Sequence, residues 1–427
     1  MNKTASIFLF CILTTILGFI AGSAVWFVLH LINLGTDALW TYLPQAMGIG
    51  HSLPYFLAVC LLGGLLIGLW QRQFGLLPDN MEEVIGKIKA NGTYPYNRLH
   101  IIAVAAILPL IFGGALGPEA GLTGLVAGLC CCIGDWLKYK GDQVAALTEA
   151  GFAATLGVIF HAPLFGIVHQ LEPDNREEHY RQKLVSKKTR IIIYCCGVLG
   201  AMVAFALLNS SLGGSGGLPR FGFEHAIGLK QWMWFIPLLA LGIVAALYYQ
   251  VIARFTRFLR GKLGDRPIIS CLIAGAVVAV CGYLVPLSMF SGEHQLETLI
   301  YGWENMTIPV MVLSAAVKLF LINACISFGW KGGNIFPIIY SAALLGYSFA
   351  LLTGMDGAFA VAILTASLYA YIMRKPVTVV AVLLLCFPVT YILPLLVSAF
   401  VASRIPSPFA PKGKGDAGAG GDAAPSV

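Results

Sequence analysis

Apolar stretches long enough to span or re-enter a bilayer recur along almost the whole chain, near 5–33, 55–70, 99–115, 119–137, 146–172, 189–208, 231–253, 267–289, 308–328, 335–353, 357–373 and 377–402. In hydrocarbon the backbone must satisfy its own N–H and C=O groups, so these stretches are expected to be helical. Hydrophobic residues make up 58% of the chain and charged residues 11%, too little polar surface for a water-soluble body of 427 residues. The expected fold class is therefore an all-α polytopic membrane protein. Several stretches are short or interrupted by Gly and Pro. The first is too long for a signal-peptide core and has no convincing cleavage site after it, which makes it a retained membrane helix.

Cationic residues orient the chain, because Lys and Arg are retained on the cytoplasmic side. Loop 34–54 has neither, whereas 71–98 carries Arg72, Lys87, Lys89 and Arg98. The segment 174–190 is rich in both, loop 209–229 has only Arg220, and 254–266 carries Arg254, Arg257, Arg260, Lys262 and Arg266. The amino terminus is accordingly expected in the cytoplasm, with Trp40, Tyr42 and Tyr55 at the opposite interface. This loop bias, together with lipid headgroup contact, accounts for the formal charge of +7, and no nucleic-acid partner is needed. The eleven cysteines lie in or beside apolar segments without paired spacing, and neither disulfides nor a metal site is indicated. No cofactor is called for. The tail from Pro411, rich in Gly, Ala and Pro, reads as disordered over 411–427, which leaves 1–410 as the membrane domain.

Within Ile101 to Ile133 the one charged side chain is Glu119, in the sequence GGALGPEAGLTGLVAG. An isolated carboxylate at membrane depth costs roughly 2.5 to 3.5 kcal/mol unless protein or water compensates it. Compensation is at hand. Pro118 suits the first helical position, Gly117 permits a sharp entry, and Glu119 then falls in the first turn, where free amides and the helix dipole favour an anion. A helix start that welcomes a carboxylate also welcomes chloride, so the two can compete for one place and Glu119 can act as a tethered gate. The plain alternative is a carboxylate that only caps its helix at a watery vestibule.

A faint internal echo supports a second site of the same kind. FGLLPDNMEEVI (74–85) and FSGEHQLETLI (290–300) share a glycine turn followed by an acidic amphipathic stretch. Gly75 precedes Gly117 by 42 residues, and Gly292 precedes Gly332 by 40. Each half then reads loop, helix, Gly-rich break, helix, which suggests an internal duplication with halves at about 55–208 and 231–402. In the second break, WKGGNIFPII, Gly332 and Gly333 let consecutive amides point into one cavity ahead of Asn334 and Ile335. An ordinary helix break is the alternative there.

These residues carry a resemblance. LGPEAGL is similar to the gating-glutamate motif of the CLC chloride channel and transporter family, FHAPLFGIVHQLE (160–172) resembles its FNAPLAGILF segment, and KGGNIFP its GGIFAP segment. The match is ordered over roughly 60–400, and within the family the chain most resembles short bacterial ion-transport proteins without cytoplasmic regulatory domains. The resemblance implies a homodimer in the bacterial inner membrane, each subunit holding its own anion pathway between inverted halves of tilted and re-entrant helices. It makes Glu119 the gate, sets the amides of Asn334 and Ile335 toward a central anion, and lines an outer site with Gly117, Pro118 and Ala120, with Gly333 in the second break. The transported species it implies is chloride or a similar small inorganic anion.

The chain departs from the family at several points. Gly75 stands where the family commonly has a pore Ser, and the family's pore Tyr has no clear match, Phe409 being the nearest residue in the chain. Where exchangers carry an inner proton-transfer Glu the chain has Pro173, with Glu172 before it; Glu172 and Glu149 are the candidate substitutes on a proton path, and an interfacial or capping role is the simpler reading of each. The expectation is a non-enzymatic, glutamate-gated anion channel with weak or no proton coupling, the alternative being an anion/proton antiporter. From other classes, GGSGG around Ser215 invites a serine hydrolase reading, discounted for want of a strand-to-helix turn, and a cation carrier would use Glu119 as its ligand.

Overall fold

The structure is a computed structural model that describes residues 3–79, 83–84, 87, 94, 96–137, 142–172, 187–213, 219–222 and 227–409. Pro173, Ser215 and the tail 411–427 lie outside them. Among the described residues the chain is helical, with no strand. Helix α1 (Lys3–Asp37) passes through a π-helical turn at Ala38–Tyr42 into α2 (Leu43–Met47), followed by α3 (Leu53–Phe74), α4 (Leu99–Ile111), α5 (Glu119–Trp136), α6 (Asp142–Ile159), α7 (Pro163–Leu171) and α8 (Lys187–Leu212). Then come α9 (Leu229–Lys262), α10 (Pro267–Leu284), α11 (Glu293–Gly302), α12 (Ile308–Ser327), α13 (Ile335–Thr353), α14 (Gly357–Met373), α15 (Pro376–Cys386) and α16 (Ile392–Arg404). Among the described residues, seven helical spans are long and apolar enough to cross a membrane.

Three apolar stretches divide differently from their sequence pattern. The run 146–172 breaks at Phe160–Ala162, where His161 takes φ +50° and Pro163 starts a new helix, giving α6 and α7. The run 377–402 breaks after Phe387, because Pro388 cannot continue α15. Helix α9 continues past residue 253 to Lys262, so Arg254, Arg257, Arg260 and Lys262 sit on its last turns rather than in a loop. Basic side chains at a helix carboxy end also oppose its dipole.

Small residues set the crossings. A Cβ on Gly22 would collide with the Ala201 backbone and one on Gly200 with the Thr15 backbone, so α1 and α8 touch main chain to main chain. The crossing of α3 and α10 is reciprocal: Gly64 lies against the Cys271 carbonyl, and Gly275 against the Cys60 carbonyl. Each helix presents a Cys and, four residues on, a Gly to its counterpart. That is the contact two copies of one unit make across a two-fold axis.

The helix breaks repeat with a shift of 216 residues. Phe112, Gly113 and Gly114 donate to Leu108, Leu110 and Pro109; Phe328, Gly329 and Trp330 donate to Ala324, Ile326 and Cys325. Gly113 and Gly329 both take positive φ, +89° and +102°. The shift pairs Gly117 with Gly333 rather than with Gly332, a one-residue refinement of the sequence echo. Upstream the repeat loosens, since Gly292, which opens α11 at φ +92°, lies 217 residues after Gly75.

Candidate functional site

Helix α4 ends at Ile111 and α12 at Ser327, and in each half seven residues of turning chain follow before the next helix begins. The two turns meet. Gly117 donates to the Gly333 carbonyl at 2.8 Å and Gly333 to the Gly117 carbonyl at 2.7 Å, an isolated antiparallel bridge. Helices α5 and α13 start two residues beyond it, so their unsatisfied first-turn amides are gathered on either side of one point.

Glu119, the first residue of α5, puts its carboxylate into this place. Oε1 accepts the backbone amide of Ile335, the first residue of α13, at 2.7 Å. Oε2 is buried with no hydrogen-bond partner, and the residue is only 5% exposed. The carboxylate fills the space above both glycines: a Cβ on Gly333 or on Gly117 would overlap it. A side chain at either position and a carboxylate between them are mutually exclusive.

The expected amide ligands are sorted by this geometry. The N–H groups of Gly117 and Gly333 are committed to each other's carbonyls, and Pro118 has no N–H. These three are corrected from donors to framework, their part being a tight turn and a cavity without side chains. Ile335 does donate into the site. Ala120, in the first turn of α5, lies before the first helical hydrogen bond, made by Leu122 to Pro118. Asn334 turns its side-chain amide to the Tyr249 hydroxyl, 3.1 Å away, while its carbonyl accepts Ile338. The FHAPLFG segment reaches the same place, for Phe160 stacks on Phe336 with ring centroids 4.4 Å apart. Three motifs distant in sequence are thus in contact.

One comparison decides what this arrangement belongs to. The family profile described as voltage gated chloride channel matches residues 63–407. The chain belongs to the CLC family.

Curated relatives and solved structures agree with that membership. The CLC chain is 24% identical over 333 residues to YfeO of Escherichia coli, named for an inferred role in ion transport, covering 75% of this chain and 73% of the relative. It shares its fold with a slow cyanobacterial Cl−/H+ antiporter at TM-score 0.78 and 18% identity, over 92% of this chain and 93% of the other. A CLC-type fluoride/proton antiporter matches at TM-score 0.77 and 16% identity, over 96% and 98%. A eukaryotic CLC transporter matches at 0.67 and 14%, over 93% and 71%. The CLC activity is anion transport, and the seven long apolar helical spans make this an integral membrane protein.

The other singled-out residues take defined places in the CLC fold. Gly75 ends α3 at φ +88° with open space where a Cβ would stand. Pro78, in the same loop, approaches to 3.8 Å of the Cβ position of Gly121, two residues on from Glu119. Asp79 anchors that loop by accepting from Lys87 at 2.6 Å and from the Tyr94 hydroxyl at 2.8 Å. Burial, then the charge of Asp79, push the Tyr94 phenol up. Glu172 accepts the amides of Val377 at 3.0 Å and Thr378 at 2.6 Å, capping α15 from the end of α7. Glu149 pairs with Arg190 at 3.1 Å and accepts the Tyr194 hydroxyl, joining α6 to α8. The Phe409 ring lies under the Arg254 guanidinium at 4.5 Å, and its carbonyl accepts from the same group.

Lys318 escaped the sequence reading. It is fully buried in α12, where its ammonium donates to the carbonyls of Met289 and Phe290 at 2.8 and 3.0 Å and lies 4.8 Å from the Tyr340 ring. Phe290, at φ +58°, in turn donates to Gly113 in the other half's break. A lone Lys in a twenty-residue apolar run was the signal available.

Proposed function

We propose that this chain moves small inorganic anions such as chloride through a pathway that Glu119 closes, as a channel with weak or no proton coupling. One observation carries the reading: the Glu119 carboxylate occupies a side-chain-free gap and accepts a first-turn amide of the opposite half. A halide needs the same things, an oriented N–H, a helix dipole and freedom from other side chains. The carboxylate is therefore a competitor of the anion, and its protonation or displacement by anion opens the route. Weak coupling is supported by the engagement of Glu172 and Glu149, each held by backbone amides or an Arg–Tyr pair.

Proton-coupled exchange is the second reading, favoured because two of the solved structures with this fold are described as antiporters. By family membership we also propose a homodimer with one pathway per subunit, in the bacterial inner membrane with a cytoplasmic amino terminus. Anion efflux from liposomes holding the purified protein, recorded together with external pH, tests both readings. Chloride release without matched proton uptake supports the channel; locked proton uptake establishes exchange; no anion release from a folded protein removes the anion reading.

A further inference from the structure

Helix α14 is buried along nearly all its length, and its hydroxyl groups sort into two kinds. Ser367 bonds back to the carbonyls of Ile363 and Leu364, and the Tyr371 hydroxyl donates to the Pro406 carbonyl at 3.3 Å. Thr365 and Tyr369, one turn apart on a single face, are fully buried and have no partner for their hydroxyls. Other buried phenols do better, Tyr249 meeting Asn334 and Tyr391 donating to Asp356. Leaving a buried hydroxyl unpaired is costly, so such a group points to a partner that arrives from outside the chain.

The register of α14 on α13 says where that partner would stand. The two helices run antiparallel, with Gly346 against the Val361 backbone. Stepping eight residues from that contact in each helix brings Tyr369 level with Ile338, one turn from the Ile335 amide that Glu119 occupies. Two residues with orphaned polar atoms, a carboxylate oxygen that can only accept and a hydroxyl that can donate, thus flank the amino end of α13.

We propose that Tyr369 is a direct ligand of the transported anion: when Glu119 leaves the Ile335 amide, the Tyr369 hydroxyl donates to the monoanion that follows it. This rests on the anion-transport reading and deepens it by naming a side-chain donor. An O–H donor favours compact, strongly accepting anions such as chloride or fluoride over diffuse ones such as nitrate.

The test is chloride binding by titration calorimetry on the purified full chain. Glu119→Ala, which clears the site, is the reference, with Tyr369→Phe and Tyr340→Phe each added to it. Tyr340 also has a buried, unpartnered hydroxyl, yet its ring lies beside Lys318, so it controls for the mere loss of a phenolic oxygen. Tyr369→Phe is expected to weaken chloride binding about tenfold, the loss of one hydrogen bond to a charged group. It should also shift flux preference toward nitrate, while Tyr340→Phe changes neither. Equal chloride affinity with and without the Tyr369 hydroxyl overturns the assignment and leaves the anion pathway standing. No chloride binding by the folded Glu119→Ala reference overturns both. Should Tyr369→Phe not fold, fluorotyrosine placed at 369 in the Glu119→Ala chain decides by fluorine NMR: a resonance that moves with added chloride supports contact, and a stationary one refutes it.

Discussion

Glu119 accepts the amide of Ile335 at 2.7 Å, and Ile335 is its own counterpart in the repeat, 216 residues away. Each opens the re-entering helix of its half. In one half the position supplies a carboxylate, and in the other an amide that donates to it, so the two halves are unequal at this pair of positions.

Removing the carboxylate tests the gate. Glu119→Ala should leave chloride efflux intact or a few-fold higher and make it insensitive to pH, whereas efflux from the parent rises as acid protonates the glutamate. A folded Glu119→Ala protein without chloride flux would speak for a binding ligand, as would a cation flux abolished by Glu119→Gln.

The glycine cradle gives a coupled pair. Gly333→Ala should cost about 1–3 kcal/mol, because its Cβ takes the space of the Glu119 carboxylate. Adding Glu119→Ala should recover at least about 1 kcal/mol of that loss. Thermal unfolding of the four proteins in one detergent completes the cycle, and additive effects would separate the two residues.

The α3–α10 crossing should be symmetric in its response. Gly64→Ala and Gly275→Ala each meet a backbone carbonyl, of Cys271 and Cys60, and each should destabilise by about 1–3 kcal/mol. A cost at one glycine and none at the other, read from melting curves, would refute the reciprocal contact.

Lys318→Met keeps much of the side chain's bulk and removes three donors. The Met289 and Phe290 carbonyls then lose their partner in the interior, at about 1–3 kcal/mol. Hydrogen exchange across 285–292 should accelerate in this variant. Unchanged exchange would mean that the loop is held by Gly113 and its packing alone.

Glu172→Gln and Glu149→Gln bear on coupling. If Glu172 serves as the α15 cap, its replacement lowers stability by about 0.5–2 kcal/mol and leaves the ratio of protons to chloride unaltered. A changed ratio in either variant would assign that glutamate to a proton path.

Much of this was legible in the residues because hydrocarbon is an exacting solvent. A lone Glu119 among apolar residues, set after Gly-Pro, named its own position at a helix start, and the paired glycines of the second break named the other wall. What stayed hidden depended on distance in space. Nothing local in Gly117 or Gly333 says that their amides turn to each other, since the bridge joins residues 216 apart. Tyr369 reads as core from its neighbours, and only the register of α13 on α14 brings it level with the amino end of α13. Lys318 was readable in principle, but the three carbonyls that receive it come from a loop almost thirty residues upstream. The split of 146–172 turned on a positive φ at His161, which an apolar run with one Pro does not announce.

The glycine bridge also bears on how the two turns come together. It cannot be made by one half alone: an unfused half would leave a bare amide and a bare carbonyl at bilayer depth. Neither half can finish its own turn, so each completes its folding only against the other, and a lesion in one turn is felt by both.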